Sequence, residues 1–186
     1  MTKLKLYPVF NVDELVYPEF ARDLTVESNA AFFFTDFKNT APLVIDYRVS
    51  AVDALNTMIK THVRMNIVVD ESGNFLGIVT ANDLTEQNII KHSQDRSLLR
   101  EELDVTDMMA RKKDLLALNI EQVQKCSIGD VVSFLKDNAQ QHCLVVDETT
   151  HQIRGVFSAS DISRKLKLDI NIHEKSSFYR VFAAVS

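Results

Sequence analysis

Two aliphatic runs stand out from the hydrophobic pattern of the chain, Asn66-Ile67-Val68-Val69-Asp70 and Cys143-Leu144-Val145-Val146-Asp147. Each is a near-continuous stretch of aliphatic residues closing on an aspartate, the pattern of a strand covered on both faces. Turn residues follow, Glu71-Ser72-Gly73-Asn74 in one place and Glu148-Thr149-Thr150-His151 in the other. The chain then returns through 75–79 or 153–157, so a hairpin is expected each time. A helix is expected after each hairpin, over roughly 81–91 and 159–167.

The pattern upstream of the runs also repeats. Helices with an apolar face are expected from Ser50 (Val52, Leu55, Met58, Ile59 inward) and from Ser127 (Ile128, Val131, Val132, Leu135 inward), each opening with Ser-x-x-Asp. Short strands precede them, Pro42-Leu43-Val44-Ile45 and Leu115-Leu116-Ala117-Leu118, and Thr35-Asp36-Phe37 is echoed by Thr106-Asp107-Met108. Aligning the copies places four extra residues in the second, around Glu121 to Gln124. Each copy reads β-α-β-β-α, a unit of about 65 residues that buries only a modest core alone. The expected fold is therefore α+β, with two tandem units packed with pseudo-twofold symmetry. The boundaries expected are an N-terminal extension at 1–33, a first unit at 34–98, a second at 104–168 and a tail at 169–186. Within the extension, Leu15, Val16 and Phe20 mark a short amphipathic helix over 10–20, and Ala30-Ala31-Phe32-Phe33-Phe34 is apolar enough to be packed on the body or used between protomers. The stretch 93–103 reads as a helical or irregular connector. The tail reads as a short strand at 169–173 and an amphipathic turn or helix over 176–185.

Composition narrows the function classes. Of 186 residues, 21 are Lys or Arg and 26 Asp or Glu, and a net charge of −5 leaves no basic footprint for nucleic acid. No apolar run approaches the length of a membrane span, and the first residues carry too short an apolar segment for a signal peptide, so a cytoplasmic protein is expected. Cys126 and Cys143 are the only cysteines and set no disulfide or metal framework, and the five histidines fall in no zinc spacing. With four glycines and no phosphate-loop or nucleophile-elbow motif, the chain is not expected to be an enzyme.

The chemistry sits where the second hairpin strand meets the following helix. Gly77-Ile78-Val79-Thr80-Ala81-Asn82-Asp83-Leu84 has a near copy in Gly155-Val156-Phe157-Ser158-Ala159-Ser160-Asp161-Ile162, with Gly, Ser/Thr and Asp in the same relative positions. The doubled unit with this doubled motif resembles the CBS-domain pair, or Bateman module, over about residues 34–168, as a stand-alone protein. The resemblance implies an adenosine-containing ligand in the cleft between the units. It implies Asp83 and Asp161 on ribose hydroxyls, Thr80 and Ser158 near phosphates, and apolar side chains such as Val44 or Ile67 and Leu118 or Leu144 around the base. Either Arg64, just before the first aliphatic run, or Arg164, three residues past Asp161, could face a phosphate, the default for a lone arginine being a solvated surface position. A carboxylate accepts two hydrogen bonds from a cis-diol, and free N–H groups at a helix start suit an anion. No cofactor is required on this reading; an adenine nucleotide or S-adenosylmethionine acts as a regulatory ligand. A homodimer and a regulated partner protein are implied, with no nucleic acid and no membrane span.

A plainer reading of the same residues stays open. Thr80-x-x-Asp83 and Ser158-x-x-Asp161 have the form of capping boxes, as do Ser50-x-x-Asp53 and Ser127-x-x-Asp130, where no ligand is implied. A cap contributes about 1 kcal/mol to its helix, enough to account for these residues without a nucleotide. On that reading the chain is a structural or protein-interaction module with filled clefts.

Overall fold

The structure is a computed structural model and describes residues 24–168 together with Pro8, Glu14, Val16, Ile170 and Ile172. The helix expected over 10–20, with Leu15 and Phe20, and the element expected over 176–185 lie outside the described residues. So does the strand expected at 169–173, apart from Ile170 and Ile172.

The chain runs β1 (Thr35–Asp36), β2 (Val44–Asp46), α1 (Ala51–Thr61), β3 (Met65–Val69), β4 (Phe75–Thr80) and α2 (Glu86–Arg96). It continues through α3 (Val105–Met108), β5 (Ala110–Arg111), β6 (Ala117–Asn119), α4 (Ile120–Val123), α5 (Ile128–Asp137), β7 (His142–Asp147), β8 (Gln152–Ser158) and α6 (Ala159–Leu166). The strands form two four-stranded sheets, ordered β1-β8-β7-β6 and β2-β3-β4-β5. This is the α+β, doubled architecture expected. In each sheet a parallel pair linked through a helix, β2/β3 or β6/β7, is extended by the returning hairpin strand. The short helix α4 falls where the second copy was expected to carry its extra residues.

Local chemistry explains why these elements start and stop where they do. The Ser50 and Ser127 hydroxyls accept from the Asp53 and Asp130 N–H groups at the starts of α1 and α5, and Asp130 returns a bond from the Ser127 N–H at 2.8 Å. His62 ends α1 in the left-handed region at φ 55°. Asp70 closes the first hairpin turn by accepting from the Ser72 and Asn74 N–H groups, and Gly73 supplies the positive φ. The inward face of α1 differs from expectation. Ala51, Ala54 and Met58 are buried whereas Ile59 is 61% exposed, because one residue along a helix turns the side chain by about 100° and Met58 holds the inner row.

Each sheet borrows an edge strand from the other copy. β1 pairs with β8 (Thr35↔Val156, Asp36↔Gly155), and β5 pairs with β4 (Gly77↔Arg111, Ile78↔Ala110). The recurrent glycines are explained by this exchange. A Cβ on Gly155 would stand 2.2 Å from the Thr35 carbonyl oxygen and 2.6 Å from the Phe34 ring, and one on Gly77 would stand 2.2 Å from the Ala110 carbonyl oxygen. Only a residue without a side chain lets the exchanged strand lie this close.

The exchange also corrects the alignment of the copies. Thr35-Asp36 is a strand, whereas Thr106-Asp107 lies inside α3, so the two are not counterparts. The matching bridges Asn29↔Ser127 and Ser50↔Asp104 pair Asn29 with Asp104, and hence the 3-10 turn Ala30–Phe32 with α3. The sequence echo misled because Thr-Asp suits a strand end and a helix start alike. Ala30, Phe33 and Phe34 join Ile128, Val131, Leu135, Val145 and Phe157 in one core, so most of the apolar run packs inside the molecule, with Phe32 outside it. A second core gathers Ala51, Met58, Val68, Val79, Leu84, Ile89 and Val105 beneath the helices of the other sheet.

A further correction concerns the element after β4. The helix expected over 81–91 starts at Glu86 and runs to Arg96, because residues 81–84 form a separate turn. The Leu84 N–H reaches the Thr80 carbonyl and Leu84 is fully buried, which pins the chain before the helix can begin. In the second copy α6 follows β8 directly, as expected.

Candidate functional site

The two sheets face each other across a cleft of about 890 Å³ to which both copies contribute. Alternation along the strands decides which residues look into it. In β3, Val68 joins the core under the helices while Ile67, also buried, lines the cleft. In β7, Cys143 and Val145 belong to the core, so Leu144 between them points to the opposite face. Val44, Val69, Phe75, Val146 and Ile153 supply the apolar part of the lining; Lys38, Lys112, Asp147 and Arg154 supply the charge.

Arg154, in the cleft lining, forms an ion pair between the copies. The Arg154 guanidinium donates from Nε to Asp36 Oδ1 at 2.7 Å and from Nη2 to Oδ2 at 2.6 Å. The side chains are 19% and 15% exposed, so this is a bidentate, largely desolvated pair. Arg154 holds the Asp36 carboxyl below the ordinary carboxylate value, against the upward push of burial. The Phe37 N–H bonds the Arg154 carbonyl at 2.9 Å, which ties backbone and side chain to the same contact.

The paired Thr/Ser-x-x-Asp motifs lie at the strand ends away from the hairpin turns, and they differ. At the first, the Thr80 N–H and hydroxyl both donate to Asp83 Oδ2, at 2.8 and 2.7 Å, and the Asp83 N–H returns to Thr80 Oγ1 at 3.2 Å. At the second, Ser158 makes no such box. Its hydroxyl shares a hydrogen with Ser160 at 2.9 Å, and Asp161 accepts from the Arg164 guanidinium. His142 pairs across the sheet with Ser158. Burial drives its pKa down to about 4, the Asp161 carboxylate pulls it back up, and the Arg64 guanidinium depresses it further. The imidazole is therefore neutral near pH 7. Arg64 from the first copy and Asp161 from the second both act on it.

Val44 and Ile67 line the cleft. Arg64, Ser158, Asp161 and Arg164 gather around the second motif, Arg64 and Asp161 through His142 and Arg164 through Asp161, and Thr80 and Asp83 form the closed turn of the first. Leu144 is buried on the inter-sheet face, but Leu118 packs against the second copy's core beside Val145, and the register partner of Leu144 is Ala117, as Val44 is of Ile67. Sequence reasoning missed the Asp36–Arg154 pair, which joins residues 118 apart, and the structural demand on the two glycines. The recurrence of Gly at equal offsets was the one signal available. Among the described residues no group of side chains is placed to hold a metal ion, and no helix is long and apolar enough to cross a membrane. Burial pushes both the Cys126 and Cys143 thiols above their ordinary value, the latter to about 11, as for structural thiols.

Comparison with known proteins agrees with this architecture. Residues 35–88 match the family model of the CBS domain. No curated protein matches the sequence. Among solved structures, an uncharacterized conserved protein from Pyrococcus horikoshii is 20% identical and superposes with a TM-score of 0.57 over 81% of this chain and 100% of its own. CBSX2 in complex with AMP is 20% identical, with a TM-score of 0.53 over 73% of this chain and 93% of its own. A hemolysin-like protein containing a CBS domain from Oenococcus oeni is 15% identical, with a TM-score of 0.52 over 76% of this chain and 91% of its own. Residues 35–88 thus resemble a CBS domain, and the chain shares the fold of the CBS-domain structures it superposes on.

Proposed function

We propose that this protein is a regulatory module that takes an adenosine-containing nucleotide between its two copies and passes its occupancy to a partner protein, with no catalytic step of its own. The observation that carries the reading is the inter-sheet cleft of about 890 Å³, with an apolar lining and a few charged groups. Its size and lining suit a ligand such as AMP. Val44 and Ile67 offer the base an apolar seat in the cleft. A nucleotide reaching from there to the strand ends, beyond the cleft lining, would meet at one Thr/Ser-x-x-Asp motif a carboxylate for the ribose and a hydroxyl for the phosphate, with Arg64 and Arg164 as cations. The AMP found with CBSX2, a protein of the same fold, supports this ligand class. A ligand regulates only through different affinities for two states of the module or its complex. A homodimer and a separate regulated protein in the cytoplasm complete the proposal.

The test is a thermal-shift panel with AMP, ADP, ATP, NAD and S-adenosylmethionine on protein freed of copurified nucleotide. A ligand at 100 times its dissociation constant stabilises the folded state by about 2.7 kcal/mol, a shift of several degrees for a chain of this size. A shift with at least one of them is expected. Unchanged melting with all five would favour the ligand-free interaction module.

A further inference from the structure

We infer that the two motifs are not equivalent: the chain holds one nucleotide, at Ser158 and Asp161, and the Thr80–Asp83 motif is a closed structural turn. This rests on the nucleotide reading above and narrows it to one site.

The first reason is the state of the polar groups. Asp83 Oδ2 already takes both the N–H and the hydroxyl of Thr80, and Thr80 Oγ1 already takes the Asp83 N–H. A ribose diol that takes both carboxylate oxygens, or a phosphate that takes the Thr80 hydroxyl, would have to break part of this reciprocal set before making its own bonds. In the second copy the hydroxyl and the carboxylate are not spent on each other. Ser158 meets only the exposed Ser160 hydroxyl, and Asp161 meets Arg164, whose side chain is 74% exposed. A nucleotide can use both residues at the cost of one exposed ion pair, an interaction contributing little in water.

The second reason is charge, and it is independent of the first. The copies place backbone equivalents at Arg64 and Gln141, whose carbonyls accept from the Ala81 and Ala159 N–H groups at 2.9 Å each. His142 is the register partner of Ser158, and both Asp161 and Arg64 are close enough to act on its charge, so this cation of the first copy lies on the side of the second motif. Arg64 is exposed and makes no ion pair among the described residues. Its counterpart Gln141 is neutral, and its amide is turned to the Ile172 carbonyl at 3.4 Å. Three residues past each aspartate the contrast recurs, Arg164 against Glu86, and Glu86 is held by Arg100. The second motif thus has Arg164 on its aspartate and Arg64 acting on its neighbour His142, whereas the corresponding positions for the first motif are Glu86, already paired with Arg100, and the neutral Gln141.

Calorimetric titration with AMP and with ATP, on wild type and on variants Asp161→Asn, Arg64→Gln, Asp83→Asn and Thr80→Val, tests the inference. One nucleotide per chain is expected for wild type. Asp161→Asn and Arg64→Gln should each weaken binding at least tenfold. Asp83→Asn should bind within twofold of wild type while melting lower. Thr80→Val makes the same test should Asp83→Asn not fold. Two nucleotides per chain, or a tenfold loss in Asp83→Asn or Thr80→Val with Asp161→Asn unaffected, would overturn the assignment while leaving the nucleotide reading intact. Wild type that binds neither nucleotide, nor shifts with any ligand of the panel, would remove both.

Discussion

Asp36 and Arg154 form a bidentate ion pair that fastens the exchanged first strand of one sheet to the last strand of the other copy's hairpin. Arg154 lines the inter-sheet cleft, and the pair is mostly withdrawn from water. Removing one partner leaves the other poorly solvated and unpaired, which costs more than the pair itself contributes. Asp36→Ala is therefore expected to lower stability by about 2–3 kcal/mol, somewhat less than for a fully buried pair because some solvent reaches both groups. The double replacement Asp36→Leu with Arg154→Leu should recover part of that loss. Urea unfolding of the single and double variants measures both, and additive losses would show that the two side chains do not act as a pair.

The exchanged strands make a separate demand on backbone space. Gly155→Ala puts a methyl group against the Thr35 carbonyl and the Phe34 ring, neither of which can swing aside, and Gly77→Ala puts one against the Ala110 carbonyl. Each is expected to cost about 3 kcal/mol, the upper range for overpacking, or to prevent folding. Gly73→Ala, at φ 79° with open space around it, should cost only about 1 kcal/mol. Melting temperatures rank the three, and a Gly155→Ala protein as stable as wild type would contradict the close strand approach.

Acid should lower the stability of the protein over two successive pH ranges. His142 has a folded pKa of about 4 against an ordinary 6.5, so between these values the unfolded chain binds more protons. Stability is fully expressed above pH 6.5 and is lost as pH falls toward 4. Asp36 is held below its ordinary 3.8, so its contribution is present above that value and disappears at lower pH. His142→Gln is expected to flatten the loss between pH 6.5 and 4, and Asp36→Asn the loss below it. Stability measured by denaturant unfolding across about pH 3 to 7 separates them. A wild-type curve flat from neutral pH down to about 4 would contradict the burial of His142.

Much of this fold was legible along the chain because its signals are local. The runs Ile67-Val68-Val69 and Leu144-Val145-Val146 are aliphatic and mostly β-branched, which favours a strand over a helix. Ser50 and Ser127 announce their helices with caps that the structure repeats. What stayed hidden depends on contacts distant in sequence. Nothing near Thr35 says that it will lie against Val156, so the strand exchange and the role of Gly155 were out of reach. The candidate site shows the same limit. Thr80-x-x-Asp83 and Ser158-x-x-Asp161 are alike as patterns, yet one closes on itself and the other does not, because Arg164 competes for Asp161 and Ser160 offers Ser158 another partner.

The central claim is that a nucleotide lies between the two copies, and a crystal structure grown with AMP tests it most directly. The account predicts density for one nucleotide per chain, its base against Val44 or Ile67, its ribose at Asp161 and its phosphate toward Arg164 and Arg64. Crystals that diffract well, grown at saturating AMP and showing no nucleotide between the sheets, or one bound through Thr80 and Asp83 instead, would contradict it.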